Sequence, residues 1–473
     1  MKRILPQNIR SSLGKARAKF RNRVYYHRRK IYKELKINAT EGDSFHKIIL
    51  IVIDSLRKDS LSYYGYERKT TPFIDSLIQD DRSVAFHNFH STSSWTYPSV
   101  TSMLSGLYPH NHGGVYTKEY RNMHTDHPNH WDDTIPFLPD IYKKLGYETV
   151  FLSTIGSAFL ASQGLFERSY FNLKFQNTDS IFKKLKQIIS SEYKKQFVHC
   201  QVGGLHYPVF VPEHFKDHFE KIPDDIDNPE TYDYLDDNYT GDKNFERYRY
   251  YRRLYYDVAL RYIDNTVESF FDYLDKKRLL QNSLVIITSD HGEEFWDHLE
   301  EEHTYFKDPR PAYGFGHAHN LFQEILEIPL VIFFGDKPSE TLRQFSQDLL
   351  SQVDLFNILL SAGNMSLENS GNDGIDFSAS DSKHEAVIAE DVAFGFEKKA
   401  IIAPPYKLLV SVGDNIAWLF HLDLDPDEKQ PIENDEFKSK LKGFLPQGYL
   451  DTESELQYDK KIEENLRALG YLD

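Results

Sequence analysis

The chain of 473 residues carries 56 Lys and Arg against 72 Asp and Glu, a net charge of −16, with 40% hydrophobic residues and one cysteine. That length can bury a large core in two unequal domains, and no apolar run approaches the roughly 18 residues a bilayer span needs. The acidic balance argues against a nucleic-acid substrate, and a lone Cys200 excludes an intrachain disulfide.

Residues 1–37 invert the overall charge, with 13 Lys and Arg against a single acid, Glu34. Leu13, Ala16, Phe20, Val24, Ile31 and Leu35 recur at three-, four- and seven-residue steps, which places an apolar stripe on a basic helix. Three partners compete for it. One is an anionic membrane surface, worth about 1 kcal/mol per basic residue near it. The others are the acidic body of the chain itself and, least compatible with that body, nucleic acid. The segment lacks the apolar core and cleavage site of a secretory signal. With the single cysteine, this leads to the expectation of a cytoplasmic protein, peripheral at the inner membrane face, without signal peptide or transmembrane segment.

Beyond the arm (1–40), the nearly continuous apolar run Lys47–Ile53 predicts a buried strand over 48–53 that ends on Asp54-Ser55. A helix is expected near 97–105, with Thr96 just ahead of Pro98 at its N-terminus. There follow a helix near 134–145, strands at 147–152 and 196–202, a helix over 252–274, strands at 283–288 and 328–334, and a helix over 350–361. Strands alternating with helices predict a mostly parallel sheet covered on both faces. The Ser-, Asn-, Gly- and Asp-rich stretch 364–381 reads as a boundary. It separates a domain at 46–363 from a C-terminal one at 364–473. In the latter, short antiparallel strands are expected at 386–389, 400–403 and 407–411, with a turn at Pro404-Pro405 and a final helix near 452–469.

Two of the apolar strands end on chemistry. The run Leu284–Thr288 closes on Ser289-Asp290-His291-Gly292, and strand ends in parallel sheets are where ligands collect. Adjacent carboxylate and imidazole suit a divalent metal; the alternative is an Asp capping a turn beside a loop histidine. Asp54 ends a second such strand. Thr96 at a helix N-terminus suits oxyanion chemistry, or is an ordinary N-cap.

The ordered set Asp54, Thr96-Tyr97-Pro98-Ser99, His112-Gly113, His206-Tyr207-Pro208, Ser289-Asp290-His291-Gly292-Glu293 and Gly316-His317-Ala318-His319-Asn320 resembles the sulfatase family of the alkaline phosphatase superfamily. Tyr64-Gly65-Tyr66, Thr71-Pro72, Gly106-Leu107-Tyr108-Pro109 and Ile328-Pro329-Leu330 extend the likeness. The resemblance implies an α/β, alkaline-phosphatase-like three-layer sandwich with a smaller C-terminal α+β subdomain. It implies one divalent metal ion held by Asp54, Asp290, His291 and Thr96, with Thr96 as nucleophile. Imidazole in the ligand set favours manganese or zinc, with calcium or magnesium as the alternatives.

His206 and His317 are then the candidates for acid–base or oxyanion roles. His319 is expected to line the pocket, His298 to support the ligands, and His112 to set the turn after the Thr96 helix. The departures from the family pattern bear on the chemistry. Sulfatases carry Cys or Ser at the Thr96 position, oxidised to formylglycine, with Arg four residues on; this chain has Thr96 and Val100. Ser55 replaces the second of a pair of aspartates, and no Lys or His follows Gly146-Tyr147-Glu148-Thr149 as it does in sulfatases. Formylglycine chemistry is therefore not expected. A hydrolase or transferase of phosphoesters or phosphodiesters is favoured, with a glycan or lipid headgroup as the substrate's body. The alternatives are a genuine sulfuric ester hydrolase acting on a sulfated glycan and a non-catalytic binding protein of the same fold.

Overall fold

The computed structural model describes residues 35–39, 45–171, 178–189, 194–223, 243–310, 313–336, 338–368 and 371–445. The basic helix expected in the arm lies outside these residues, apart from Leu35 and its neighbours, and so does the final helix near 452–469.

The core is a seven-stranded sheet. Its strands are β1 (Lys47–Ile53), β2 (Ser83–Phe86), β3 (Glu148–Ser153), β4 (Arg168–Phe171), β5 (Gln196–Val202), β6 (Ser283–Thr288) and β7 (Leu330–Phe334). They lie in the order β2-β7-β6-β1-β5-β3-β4. β1, β3, β4, β5 and β6 pair in parallel, whereas β7 runs antiparallel to both of its neighbours. The sheet is mostly parallel, as expected; the apolar pattern of 328–334 carries no information about direction.

Alternation along β1 explains the three layers. Ile48, Leu50 and Val52 point into one apolar cluster, and Ile49, Ile51 and Ile53 into another. The first cluster packs under α2 (Thr96–Ser105), α3 (Leu138–Lys144), α4 (Gly156–Ala161) and α7 (Asp354–Ala362). The second packs under α1 (Pro72–Ile78), α5 (Thr178–Ile189) and α6 (Lys243–Lys276).

Local chemistry moves some boundaries from their predicted places. The helix expected from 134 starts at Leu138, where the Asp140 carboxylate accepts the Phe137 N–H at 3.1 Å. The helix expected from 350 starts at Asp354, because Leu350–Ser351 pairs as a short strand with Phe89–His90.

The C-terminal part forms an antiparallel sheet of β8 (Val387–Glu390), β9 (Lys399–Ala403), β10 (Tyr406–Ser411) and β11 (Ile416–His421), in that order. Pro404-Pro405 makes the β9–β10 turn, as expected; β11 was not foreseen. One face of this sheet packs on Phe306, Leu321, Phe322, Ile325 and Leu326, the other on Leu441 and Leu445, in and just after α8 (Asp435–Lys442). The sheet thus backs the 306–326 segment, which carries His317 and His319.

His298 links the same region to the C-terminal part. Its Nδ1 lies 2.9 Å from Glu324 Oε1, and its Nε2 lies 2.9 Å from the Asp427 carbonyl oxygen. Burial opposes the charged ring, but Glu324, Glu294 and Glu428 raise it to about 10. A histidine raised on folding stabilises fully below its ordinary value near 6.5, and that contribution is lost as pH climbs towards 10. Urea unfolding across this range is expected to show stability falling with pH, and His298→Gln is expected to flatten that fall. An unchanged slope in His298→Gln would remove the imidazolium from the account.

Candidate active site

The register of two parallel strands builds the centre of the site. Val52 on β1 stands opposite Thr288 on β6, so Asp54 and Asp290, each two residues further on, come abreast at the carboxyl edge of the sheet. Ser289 ties the two strand ends together. Its Oγ lies 2.7 Å from the Ile53 carbonyl oxygen and accepts the Leu56 N–H at 2.9 Å. Thr96 is the first residue of α2, so its hydroxyl stands at a helix N-terminus where free N–H groups and the helix dipole favour anions. Its Oγ1 lies 3.4 Å from Asp54 Oδ2 and 3.3 Å from His291 Nε2. Asp54, Asp290 and His291 are fully buried, and Thr96 nearly so.

The ring of His291 is oriented by its own loop. Nδ1 donates to the Gly292 carbonyl at 2.8 Å, which leaves the Nε2 lone pair facing inward, 3.6 Å from Asp290 Oδ2 and 3.9 Å from Asp54 Oδ1. Gly292 itself is required by space, because a Cβ there would stand 1.9 Å from the Glu324 carbonyl oxygen. Asp54, Asp290 and His291 thus bring three acceptor atoms within 4.8 Å of one another.

Burial, compounded by the Asp54 charge, pushes the Asp290 carboxyl well above its ordinary range. Against the same burial, His206, His291 and His317 hold Asp54 below its own. Burial lowers His291 towards its neutral form in spite of Asp54. Buried acceptors that repel one another, with an unprotonated imidazole nitrogen among them, match the donor set of a divalent cation. By this test the residues fit a metal ion.

His206 and His317 come to the same place from distant loops. The His317 ring lies 4.3 Å from that of His291 and 5.0 Å from that of His206. His317 Nδ1 pairs with Glu293 Oε2 at 3.1 Å. Burial opposes the Glu293 charge, but His317, His206 and His291 hold the carboxyl below its usual value. His206 Nδ1 donates to the Tyr207 carbonyl at 2.6 Å.

His319 does not line the pocket as expected. It is 2% exposed, with Nδ1 on the His317 carbonyl at 3.0 Å and Nε2 at 3.0 Å from both Glu294 and Glu302. Burial and Arg310 oppose its charge, but Glu302 and Glu294 raise it to about 10. It is therefore the cation of its own buried cluster. Glu294, Glu302 and His319, like Glu294, His298 and Glu324, are spaced for a metal; their protonated imidazoles already serve as the counter-charge. His112 is buried at the end of the α2 turn, with Nδ1 accepting the Gly114 N–H at 3.0 Å.

Sequence reasoning missed two residues here. Glu293 stands in the Ser289–Glu293 motif, where the sequence alone gives it no role. Gln201 was passed over, although its Nε2 lies 3.1 Å from Asp54 Oδ2 and 2.8 Å from Asp290 Oδ2. The available signal was the pair His199 and Gln201, two polar side chains at alternate positions inside a strand of the buried sheet.

Comparison with known proteins gives the same family. The sulfatase family model matches residues 46–365. Phosphoethanolamine transferase EptC of Escherichia coli K12 is 22% identical over 337 residues, which cover 67% of this chain and 50% of that protein. The chain spans about half the length of that curated relative. The solved C-terminal periplasmic domain of EptC, in complex with zinc, superimposes with a TM-score of 0.51 at 17% identity, covering 71% of this chain and 87% of that one. Phosphonate monoester hydrolase of Agrobacterium radiobacter gives a TM-score of 0.61 at 14% identity, covering 84% and 94%. These structures share the fold.

The EptC domain also corrects the expected location. It is periplasmic, which points away from a cytoplasmic protein at the inner membrane face. The lone cysteine misled because Cys200 is fully buried in β5, where it is inert in either redox compartment. Among the described residues no helix is long and apolar enough to cross a membrane. With two thirds of its length matched by the family model and its fold shared with these structures, the chain belongs to the sulfatase family.

Proposed function

We propose that the chain is a metal-dependent phosphoester transferase or hydrolase in which Thr96 is the nucleophile. The observation that carries this reading is the Thr96 hydroxyl, set at a helix N-terminus within 3.4 Å of Asp54 and 3.3 Å of His291. Asp54, Asp290, His291 and Thr96 are the ligands, and their oxygen and nitrogen donors suit manganese or zinc. The zinc complex of the EptC domain supports the choice of a divalent ion. When bound, such an ion supplies the positive charge that makes a hydroxyl nucleophilic at neutral pH and polarises the ester oxygen.

The rest of the chemistry belongs to the chain's own groups. Asp54 and His291 are the nearest acceptors to the Thr96 hydroxyl. Attack of Oγ1 on phosphorus, its proton passing to Asp54, forms a threonine phosphoester as the bond to the leaving oxygen breaks. The N–H groups at the start of α2 face the developing negative charge. His317, with Nδ1 held by Glu293, protonates the leaving oxygen, and His206 lies against the His317 ring to share that task. Water or an acceptor alcohol then attacks phosphorus as the bond to Oγ1 breaks, with His317 taking the proton of the attacking oxygen and Oγ1 regaining its own from Asp54.

A relative named phosphoethanolamine transferase supports a phosphoester as the substrate class. The sulfate-ester alternative is weaker, since a sulfated threonine has no elimination route of the kind a formylglycine hydrate provides. An anionic membrane surface acting through residues 1–37 rests on charge alone; liposome co-sedimentation that is lost on deleting those residues is the expected outcome.

Aryl phosphodiester, phosphomonoester, phosphonate and sulfate esters form the test panel. Thr96→Ala is expected to lose about 10³-fold or more of the phosphoester activity. Undiminished turnover in that variant would sink the nucleophile assignment, and turnover of sulfate esters alone would sink the substrate class. Glu293→Gln is expected to lose about 10²-fold with an alkyl leaving group and far less with nitrophenolate, which needs no proton. Equal losses with both leaving groups would mean that Glu293 acts on structure alone.

A further inference from the structure

Strand β5 carries two polar side chains on the face it turns towards α2. Phe197 packs in the cluster beneath that helix, while Val198, Cys200 and Val202 pack in the opposite one. His199 and Gln201 therefore share the side of Phe197. Both are fully buried, and Gln201 is bonded at both ends of its amide.

The Gln201 amide nitrogen has two hydrogens and two acceptors, Asp54 Oδ2 at 3.1 Å and Asp290 Oδ2 at 2.8 Å. Its Oε1 faces His199 Nε2 at 3.1 Å. Burial lowers His199 to about 4, so the ring is neutral, and its proton lies on Nε2, donated to Gln201. His199 Nδ1 has no hydrogen-bond partner among the described residues, which agrees with its being the bare nitrogen. Phe151 at 5.0 Å and Phe166 at 6.3 Å hold the ring in place. The direction of the chain is thereby fixed. A flipped amide would set its carbonyl oxygen against two carboxylates and an imidazole N–H against an NH₂ group.

The choice of an amide has a chemical consequence. A lysine at this point would neutralise part of the charge a cation needs, and an apolar side chain would leave two buried carboxylates free to swing apart. A neutral double donor fixes their spacing and leaves both negative charges in place.

We propose that Gln201, held by His199, is a positioning residue whose bridging amide sets Asp54 and Asp290 at the separation that binds one divalent ion. This rests on the preceding assignment of Asp54, Asp290 and His291 as ligands.

The test is titration of the chelator-stripped full chain with Mn²⁺, followed by electron paramagnetic resonance of the free ion, with circular dichroism as the check on folding. Wild type is expected to bind one ion. Gln201→Leu, which removes the amide, and Gln201→Asn, whose amide is too short to span both carboxylates, are each expected to bind it roughly 10–100-fold more weakly. If Gln201→Leu does not fold, Gln201→Asn decides. Affinity within twofold of wild type in a folded variant overturns the role of Gln201 and leaves the metal site standing. An Asp290→Asn variant that binds as tightly as wild type, or a wild type that binds no Mn²⁺, overturns the ligand assignment and Gln201 with it.

Discussion

Two carboxylates stand side by side in a fully buried place, and the site is built around the cost of that arrangement. Taking one ionised carboxylate out of water costs several kcal/mol after relaxation, and a second beside it adds repulsion. The sheet imposes the arrangement, because the β1–β6 register that closes the core also brings Asp54 and Asp290 abreast. Without a cation, one of the pair is driven towards its acid form, which is Asp290's direction. With one, the same repulsion becomes affinity. The surrounding groups are consistent with the second state: an imidazole with its lone pair inward, a threonine hydroxyl, and an amide that donates without carrying charge.

Holding such a cluster together takes support from most of the chain. Ser91 Oγ and Gln352 Nε2 both lie 2.6 Å from the Asp290 carbonyl oxygen, which fixes the backbone from which the carboxylate projects. Trp95 Nε1 donates to the Asp391 carbonyl at 2.6 Å, so the start of α2 is tied to the residue that follows β8. The C-terminal sheet also backs the segment that presents His317. A substitution in that sheet can therefore reach Thr96 or His317 without touching either, by loosening the backbone on which each is carried.

The legible part of this protein was the part written in runs. Long apolar stretches gave β1 and β6, and the polar residues that end them gave Asp54, Asp290 and His291. Thr96 was readable because a proline marks the first turn of its helix, and His206 and His317 through motif order. What the sequence hid depends on partners far away along the chain. The reversed direction of β7 is decided by its neighbours, since an apolar run reads alike both ways. His319 sits two residues from His317, and spacing alone suggested one shared pocket; Glu294 and Glu302 draw its ring into the interior instead. Gln201 was hidden because a polar residue within a strand looks like a tolerated exception until the ends of β1 and β6 are seen beside it.

Threonine at position 96 restricts the chemistry more than its likeness to serine suggests. Formylglycine is an aldehyde at Cβ, formed by oxidising a Cβ that carries two hydrogens. The Thr96 Cβ carries a methyl group and one hydrogen, so no oxidation of it gives an aldehyde without breaking a carbon–carbon bond. The elimination that releases sulfate from a formylglycine hydrate is therefore closed to this side chain. A covalent ester on Thr96 must leave by attack at its central atom, and that favours phosphorus, where charge stabilisation and positioning do most of the work. The methyl group has a second effect. It limits the side-chain rotamers open to a β-branched residue in a helix, so the hydroxyl is held near Asp54 and His291 before any substrate arrives. In the proposed reaction, the same methyl group that closes the formylglycine route thus pre-orients the hydroxyl for attack on phosphorus.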